Sequence, residues 1–416
     1  MAVAPGLRVP PPAGVASSRA GIQRYVYGTT ALWGVSVGLL SATLPFRFLQ
    51  LGLPIFEYGV TLSAYAAGML LTESLWGAWA FRLGQPVLIA GVGAMVGAAT
   101  LLLAVATSFP TILVAEVVIG AVGVYLAPIL RWVALTHGGP GSEGTGSGRW
   151  SSVFGLGIAV GVAMGPVAFV SFGFRDVALG SLATFALAVA VAAALPWARV
   201  ALPTPVKGRG LSIRILATRP FLIAIGLVLI TFTAMTFTTS FLQYYSIVLF
   251  GGTPSDAGYV LGAGRLVSLT ASFVLGPFVD RWGPGRTVPV GFGLLLVGAV
   301  ATWGARSYLD MVGATLVFSA GLGWLFANLL PLGMNAMPRD HQGAAIGVFG
   351  SMEDAGLLVG PLLFGAAWSA YGPTSLFPTV TALAATGVLV SLLVTARRGG
   401  AIQRKVPPAT GGAGPE

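Results

Sequence analysis

Residues 57–84 read EYGVTLSAYAAGMLLTESLWGAWAFRLG, and residues 256–283 read DAGYVLGAGRLVSLTASFVLGPFVDRWG. Sliding the chain by 199 residues lays the first stretch on the second without a gap. Acid falls on acid at Glu57 and Asp256, while Gly59, Gly77, Arg82 and Gly84 fall on Gly258, Gly276, Arg281 and Gly283. A second register, 195 residues, lays VFGLGIAVGVAMGP (153–166) on VFGSMEDAGLLVGP (348–361). It pairs Gly161, Gly165 and Pro166 with Gly356, Gly360 and Pro361. Chance likeness between glycine-rich apolar helices is the competing explanation. It is a poor one, because two separate gapless matches preserve charged and turn residues. Two parallel repeats with a cavity between them are a transporter architecture.

The composition agrees. Only 8% of the 416 residues are charged, where soluble domains carry roughly 25%, and the mean hydropathy is +0.88. Apolar runs long enough to cross a hydrocarbon core of about 30 Å as helices recur along the chain. Lipid offers no partner to an open sheet edge, so helices are expected. The runs predict an all-α integral membrane protein of twelve spans at 25–46, 58–81, 86–106, 110–135, 150–171, 177–197, 219–249, 257–279, 287–305, 310–336, 343–369 and 376–396. They group into six-helix bundles over 25–197 and 219–396. A polar linker (198–218) joins the bundles, a disordered N-terminal segment (1–24) precedes them and a disordered tail (397–416) follows. The seventh run is long enough to need a tilt or an interfacial turn.

The net charge of +10 would suggest nucleic acid in a soluble protein. Its distribution points elsewhere. With the N-terminus inside, 17 of the 22 basic residues fall on one side, and only Arg47, Arg175 and Arg306 on the other, with Arg131 and Arg265 inside helices. That asymmetry predicts a multi-pass protein of the plasma (inner) membrane with both termini cytoplasmic. The expected partners are the bilayer, a small-molecule substrate and protons. No nucleic acid is expected, and the chain is expected to be a monomer. No Lys follows a Gly, so there is no P-loop. There is no HExxH, no cysteine and only two histidines. An enzyme, a metal site and a cofactor are therefore not expected.

The turn GPFVDRWGPGR (276–286) concentrates charge in a chain that has little. Gly276 permits close helix contact, Asp280 and Arg281 end one span, Gly283 makes the turn, and Arg286 opens the next span. An acid and arginines confined to a short loop either latch helices in one conformation or simply anchor the topology. At this point the sequence resembles the major facilitator superfamily, whose signature loop is Gly-x-x-x-Asp-Arg-x-Gly followed by basic residues. The first-half copy keeps Gly77, Arg82 and Gly84 but has Phe81 in place of the acid. The resemblance implies two pseudo-symmetric bundles, alternating access and cytoplasmic gating loops. Span five, with Gly157, Gly161, Gly165 and Pro166, resembles that family's antiporter-associated glycine series, although Ala168 and Phe169 follow it. Ordinary helix packing explains the glycines equally.

Ionisable residues inside spans are costly and seldom idle. They are Glu73, Glu116, Arg265, Glu353 and Asp354. Glu353 and Arg265 are expected at similar depth near mid-bilayer. One reading pairs Arg265 with one acid and leaves the other to carry a proton; the other reading is a static ion pair. Glu116 stands where many proton-coupled members of the family carry an arginine, and it fits a proton site or a helix contact. Gln243, Tyr244, Tyr245, Trp324 and Asn328 are further cavity candidates. The expected function is proton-coupled export of small lipophilic or cationic compounds. The alternatives are uptake of a sugar or organic acid, with Arg265 as an anion contact, or a non-transporting receptor or scaffold.

Overall fold

A computed structural model describes residues 13–79, 85–136, 143–197, 218–337 and 342–398. Within them the regular structure is helical throughout. Span one is Ala13–Leu51, two Ile55–Trp79 and three Gln85–Val105. Span four is divided into Phe109–Gly123 and Leu126–Thr136. Span five is Glu143–Phe172 and six Phe174–Ala193. Span seven runs from Arg219–Thr236 through a π-helical turn, Phe237–Phe241, into Leu242–Phe250. Spans eight to twelve are Pro254–Trp282, Pro284–Trp303, Tyr308–Met334, Gln342–Tyr371 and Leu376–Arg398. Among the described residues, ten helices are long and apolar enough to cross a membrane. Span two and the divided span four complete the twelve. Their outer faces are apolar, as at Phe273, which is 85% exposed. The linker (198–217), residues 1–12 and the segment from 399 onward lie outside the described residues.

Three local results differ from the expected pattern. The segment expected to be a disordered tail is helical from Ala13. Ile22 and Val26 are buried with Ile129, Leu130 and Val133 of span four, and that packing offsets the cost of ordering. Span four breaks after Gly123, where the Tyr125 N–H turns back to the Val122 carbonyl. This frees the Ala121 carbonyl, which accepts from Thr72 Oγ1 and Trp76 Nε1 of span two, each at 2.6 Å. The break turns the two glycines of span four in different directions: Gly120 meets Tyr65, while Gly123 looks toward Val96. Span seven keeps its full 32 residues, Arg219–Phe250, with the π turn near its C-terminal third.

The matched residues of the two halves occupy matching places. Glu57 and Asp256 both lie in the first turn of a helix, where a negative charge favours the helix dipole. Asp256 also closes a capping box with Thr253. Gly157, Gly161 and Gly165 bring span five onto the backbone of span one, and a Cβ on Gly38 would lie 2.9 Å from Gly161 Cα. Gly356 and Gly360 do the same for spans eleven and seven, against Leu229, Thr233 and Thr236. Small residues permit such approach. Ser36 and Ser181 pin span one to span six with a 2.8 Å hydroxyl pair.

The bundles meet where span two packs on span eleven and span five on span eight. Call the end carrying the two chain termini the terminal end and the other the distal end. Distally, a Cβ on Gly59 would strike the Pro361 carbonyl and lie 3.3 Å from Gly365 Cα. Its repeat mate Gly258 sits against the ring of Pro166, where a Cβ would lie at 2.9 Å. The glycine–proline ends of spans five and eleven therefore each make a cross-bundle contact. Ser63 Oγ donates to the Leu358 carbonyl at 2.7 Å, and Tyr58 Oη to the Ser240 carbonyl at 3.4 Å.

Trp324 and Asn328, candidates for substrate contact, are spent inside the second bundle. Trp324 Nε1 donates to the Thr287 carbonyl at 2.7 Å, Asn328 Nδ2 to the Trp324 carbonyl at 2.6 Å, and the Thr287 hydroxyl to Asn328 Oδ1. Asn328 is fully buried. Asn328→Ala removes two buried side-chain hydrogen bonds, with the Thr287 hydroxyl left to the Gly283 carbonyl at 3.1 Å, at a cost of about 1–2 kcal/mol. The expected result is a lowered unfolding midpoint of the purified protein with substrate affinity unchanged. Gln243 donates to the Thr239 carbonyl, and Tyr244 and Tyr245 pack edge-on against Trp368.

Candidate functional site: an acidic cluster between the bundles

Glu73 of span two and Asp354 of span eleven lie near each other across the bundle interface, each in the other's electrostatic field. Glu353, the neighbour of Asp354, interacts electrostatically with Glu73 and with Arg131 of span four. The Arg131 guanidinium also lies 5.9 Å from the ring centre of Trp150, within cation–π range. Asp354 is 7% exposed and Glu116 is 6% exposed.

Glycines build this site. A Cβ on Gly120 would meet the Tyr65 carbonyl, and one on Gly68 would lie 2.9 Å from the Val117 carbonyl. Spans two and four are thus backbone to backbone. Glu116, one helical turn before Gly120, is thereby set beside the tyrosines of span two. Tyr65 lies in the field of both Glu116 and Asp354, and Tyr58 in that of Glu116. Three membrane acids, Glu73, Glu353 and Asp354, and Arg131 come together from spans two, four and eleven, straddling both bundles, while Glu116 shares with Asp354 only the field at Tyr65.

Comparison with known proteins places this geometry in a family. The model of the Major Facilitator Superfamily matches residues 26–361 and, in a second match, 249–410. The chain belongs to the Major Facilitator Superfamily. A curated relative, the riboflavin transporter RibZ of Clostridioides difficile (strain 630), is 25% identical over 123 residues, which is 30% of this chain and 27% of that protein. The match thus spans little more than a quarter of that relative's length. Among solved structures, the nucleoside transporter NupG is similar with a TM-score of 0.73 at 13% identity, covering 91% of this chain and 98% of that one. A bacterial homolog of the human lysosomal transporter Spinster is similar with a TM-score of 0.70 at 14% identity, covering 91% and 94%. The superfamily consists of transporters rather than enzymes, so a small-molecule substrate is implied.

In this superfamily member Arg265 does not pair with Glu353 or Asp354. Its Nη1 lies 3.9 Å from Met235 Sδ, and its pocket is formed by spans seven, eight and ten. Equal depth does not mean equal direction: span eleven turns its acids toward span two, while span eight turns Arg265 into its own bundle. The base near the acids is Arg131. It was visible in the sequence as a lone arginine in an apolar run, but its direction was not.

Of the gating residues, Arg82 and Gly84 lie outside the described residues. Gly77 falls in the span-two helix, and Gly276 and Asp280 in that of span eight. Gly283 has φ +81° and is the single residue between spans eight and nine. A side chain there would be strained. Pro284 then starts span nine at a position where proline's missing N–H costs nothing. Arg281 and Arg286 are exposed.

Proposed function

We propose that this protein is a proton-coupled secondary transporter that exports small lipophilic or cationic compounds across the plasma membrane by alternating access, with both termini cytoplasmic. The observation that carries this reading is the Glu73–Asp354 carboxyl pair, one acid from each bundle. Rocking of one bundle against the other changes the separation of spans two and eleven. The pair holds a proton while its members touch and releases it when they part into water. Glu353 and Glu116 add negative charge that favours a cation when the proton leaves, and Arg131 keeps the cluster from full repulsion. The excess of basic residues on the terminal side supports placing that side in the cytoplasm. The turn at Gly283 is read as the gate at that side, with Arg281 and Arg286 flanking it.

A second reading, transport of a polar aromatic heterocycle, is favoured by the names of the similar riboflavin and nucleoside transporters. Purified protein in liposomes with an internal pH dye separates the two. Under an imposed proton gradient, lipophilic cations are expected to dissipate it, while riboflavin, nucleosides, sugars and organic acids are not. Gradient dissipation by heterocycles alone would overturn the cation assignment. Protons travelling with the substrate instead of against it would overturn export.

A further inference from the structure

The acidic cluster leaves one intramembrane charge unexplained. Arg265 is enclosed by the second bundle while its side chain keeps partial access to a cavity of about 20 Å³. The cavity is lined by Thr238 and Thr239 of span seven, Ser268 of span eight, and Thr315 and Ser319 of span ten. No carboxylate lies among its lining residues, and the guanidinium's hydrogen bond among the described residues goes to a thioether sulfur, a weak acceptor. Thr238, Thr239 and Thr315 spend their hydroxyl protons on carbonyls of their own helices. Ser268 and Ser319, 5% and 4% exposed, keep theirs for the cavity. A guanidinium and two hydroxyls converge on a cavity whose lining carries no negative charge, only neutral hydroxyl oxygens. A buried charge without a counter-charge is costly, and an ionisable group at membrane depth marks a site by default.

We propose that this pocket binds a small monovalent anion of halide size, held by Arg265, Ser268 and Ser319. Size sets the class: one water needs about 10–15 Å³ measured in this way, so the cavity admits a single-atom ion and not a metabolite. The site sits on the π turn of span seven, a feature frequent at functional sites. The same turn supplies the Ser240 carbonyl that accepts from Tyr58 of the other bundle. An anion here neutralises Arg265 and braces the turn that meets the first bundle at the distal end. The site is independent of the acidic cluster and of the substrate.

The test uses full-length protein in detergent, with sodium chloride exchanged for sodium gluconate at constant ionic strength. Chloride is expected to raise the unfolding midpoint saturably, by at least about 2 °C. Arg265→Gln is expected to abolish the saturable part, and Ser319→Ala to raise the half-saturating concentration several-fold. Acetate serves as the carboxylate arm: protection by acetate but not chloride would assign the pocket to a substrate carboxylate and overturn the proposal. A chloride response that is absent in the parent, or unchanged in Arg265→Gln, overturns it as well. Should Arg265→Gln fail to fold, an unchanged half-saturation in Ser268→Ala/Ser319→Ala is decisive against it.

Discussion

Gly59→Val is expected to hold the transporter open at its distal end. The new side chain must occupy the space of the Pro361 carbonyl and press on Gly365. Both are backbone on a packed helix, so neither can swing aside. Overpacking of this kind costs about 1–3 kcal/mol, but only in the conformation where spans two and eleven touch. An equilibrium biased by that amount shifts roughly 10–100-fold. The chain contains no cysteine, so a single Ser240→Cys reporter can be labelled without background. Ser240 lies at the distal contact, with its carbonyl engaged by Tyr58. Its labelling by an impermeant thiol reagent is expected to rise about tenfold or more in Gly59→Val, and transport to fall in proportion. Gly258→Val is expected to act alike through Pro166, because the repeat places the same contact on the other side. Gly180→Val is the control, since nothing lies within 4 Å of a Cβ at that position. Unchanged labelling in both glycine variants would mean that these contacts do not close the distal end.

Asp354→Asn is expected to separate transport from the proton gradient. The amide keeps the volume and the place beside Glu73 but cannot release a proton. Uphill accumulation is expected to fall at least about tenfold, equivalent to ~1.4 kcal/mol. Exchange of labelled for unlabelled substrate, which needs no proton release, is expected to persist. Its rate in the variant is expected to be flat with pH where the parent's uphill flux is steep. Glu73→Gln is expected to reproduce both effects, because the proton belongs to the pair. Loss of exchange together with uphill flux, in a variant that folds normally, would make the acids structural and sink the coupling mechanism. Glu116→Gln is the informative companion, since Glu116 touches the pair only through Tyr65.

Much of the fold was legible before any coordinates. Run length reports whether a helix can cross the hydrocarbon core, and that depends on composition alone. The two gapless registers exposed the repeat because matched positions do matched work, such as Glu57 and Asp256 in first turns and the Gly–Pro ends of spans five and eleven. The acids were legible as a list. What was not legible was direction. Glu353 and Arg265 lie at similar depth, and nothing in their sequence neighbourhoods says that one faces span two and the other the interior of its own bundle. Asn328 and Trp324 looked available for a ligand because polar groups in an apolar run look alike whether they are free or already bonded to each other.

The sequence by itself determined that this is a helical membrane protein built from two repeated halves, because hydrophobic length and repeated motifs act locally along the chain. Only the tertiary structure decided that Glu73 and Asp354 meet, that Arg131 and not Arg265 is their basic neighbour, and that Gly59 and Gly258 are where the bundles touch. Those facts depend on the rotation of each helix about its axis. Rotation is set by which small residues let which backbones approach, and that is a property of pairs of helices that no single stretch of sequence contains.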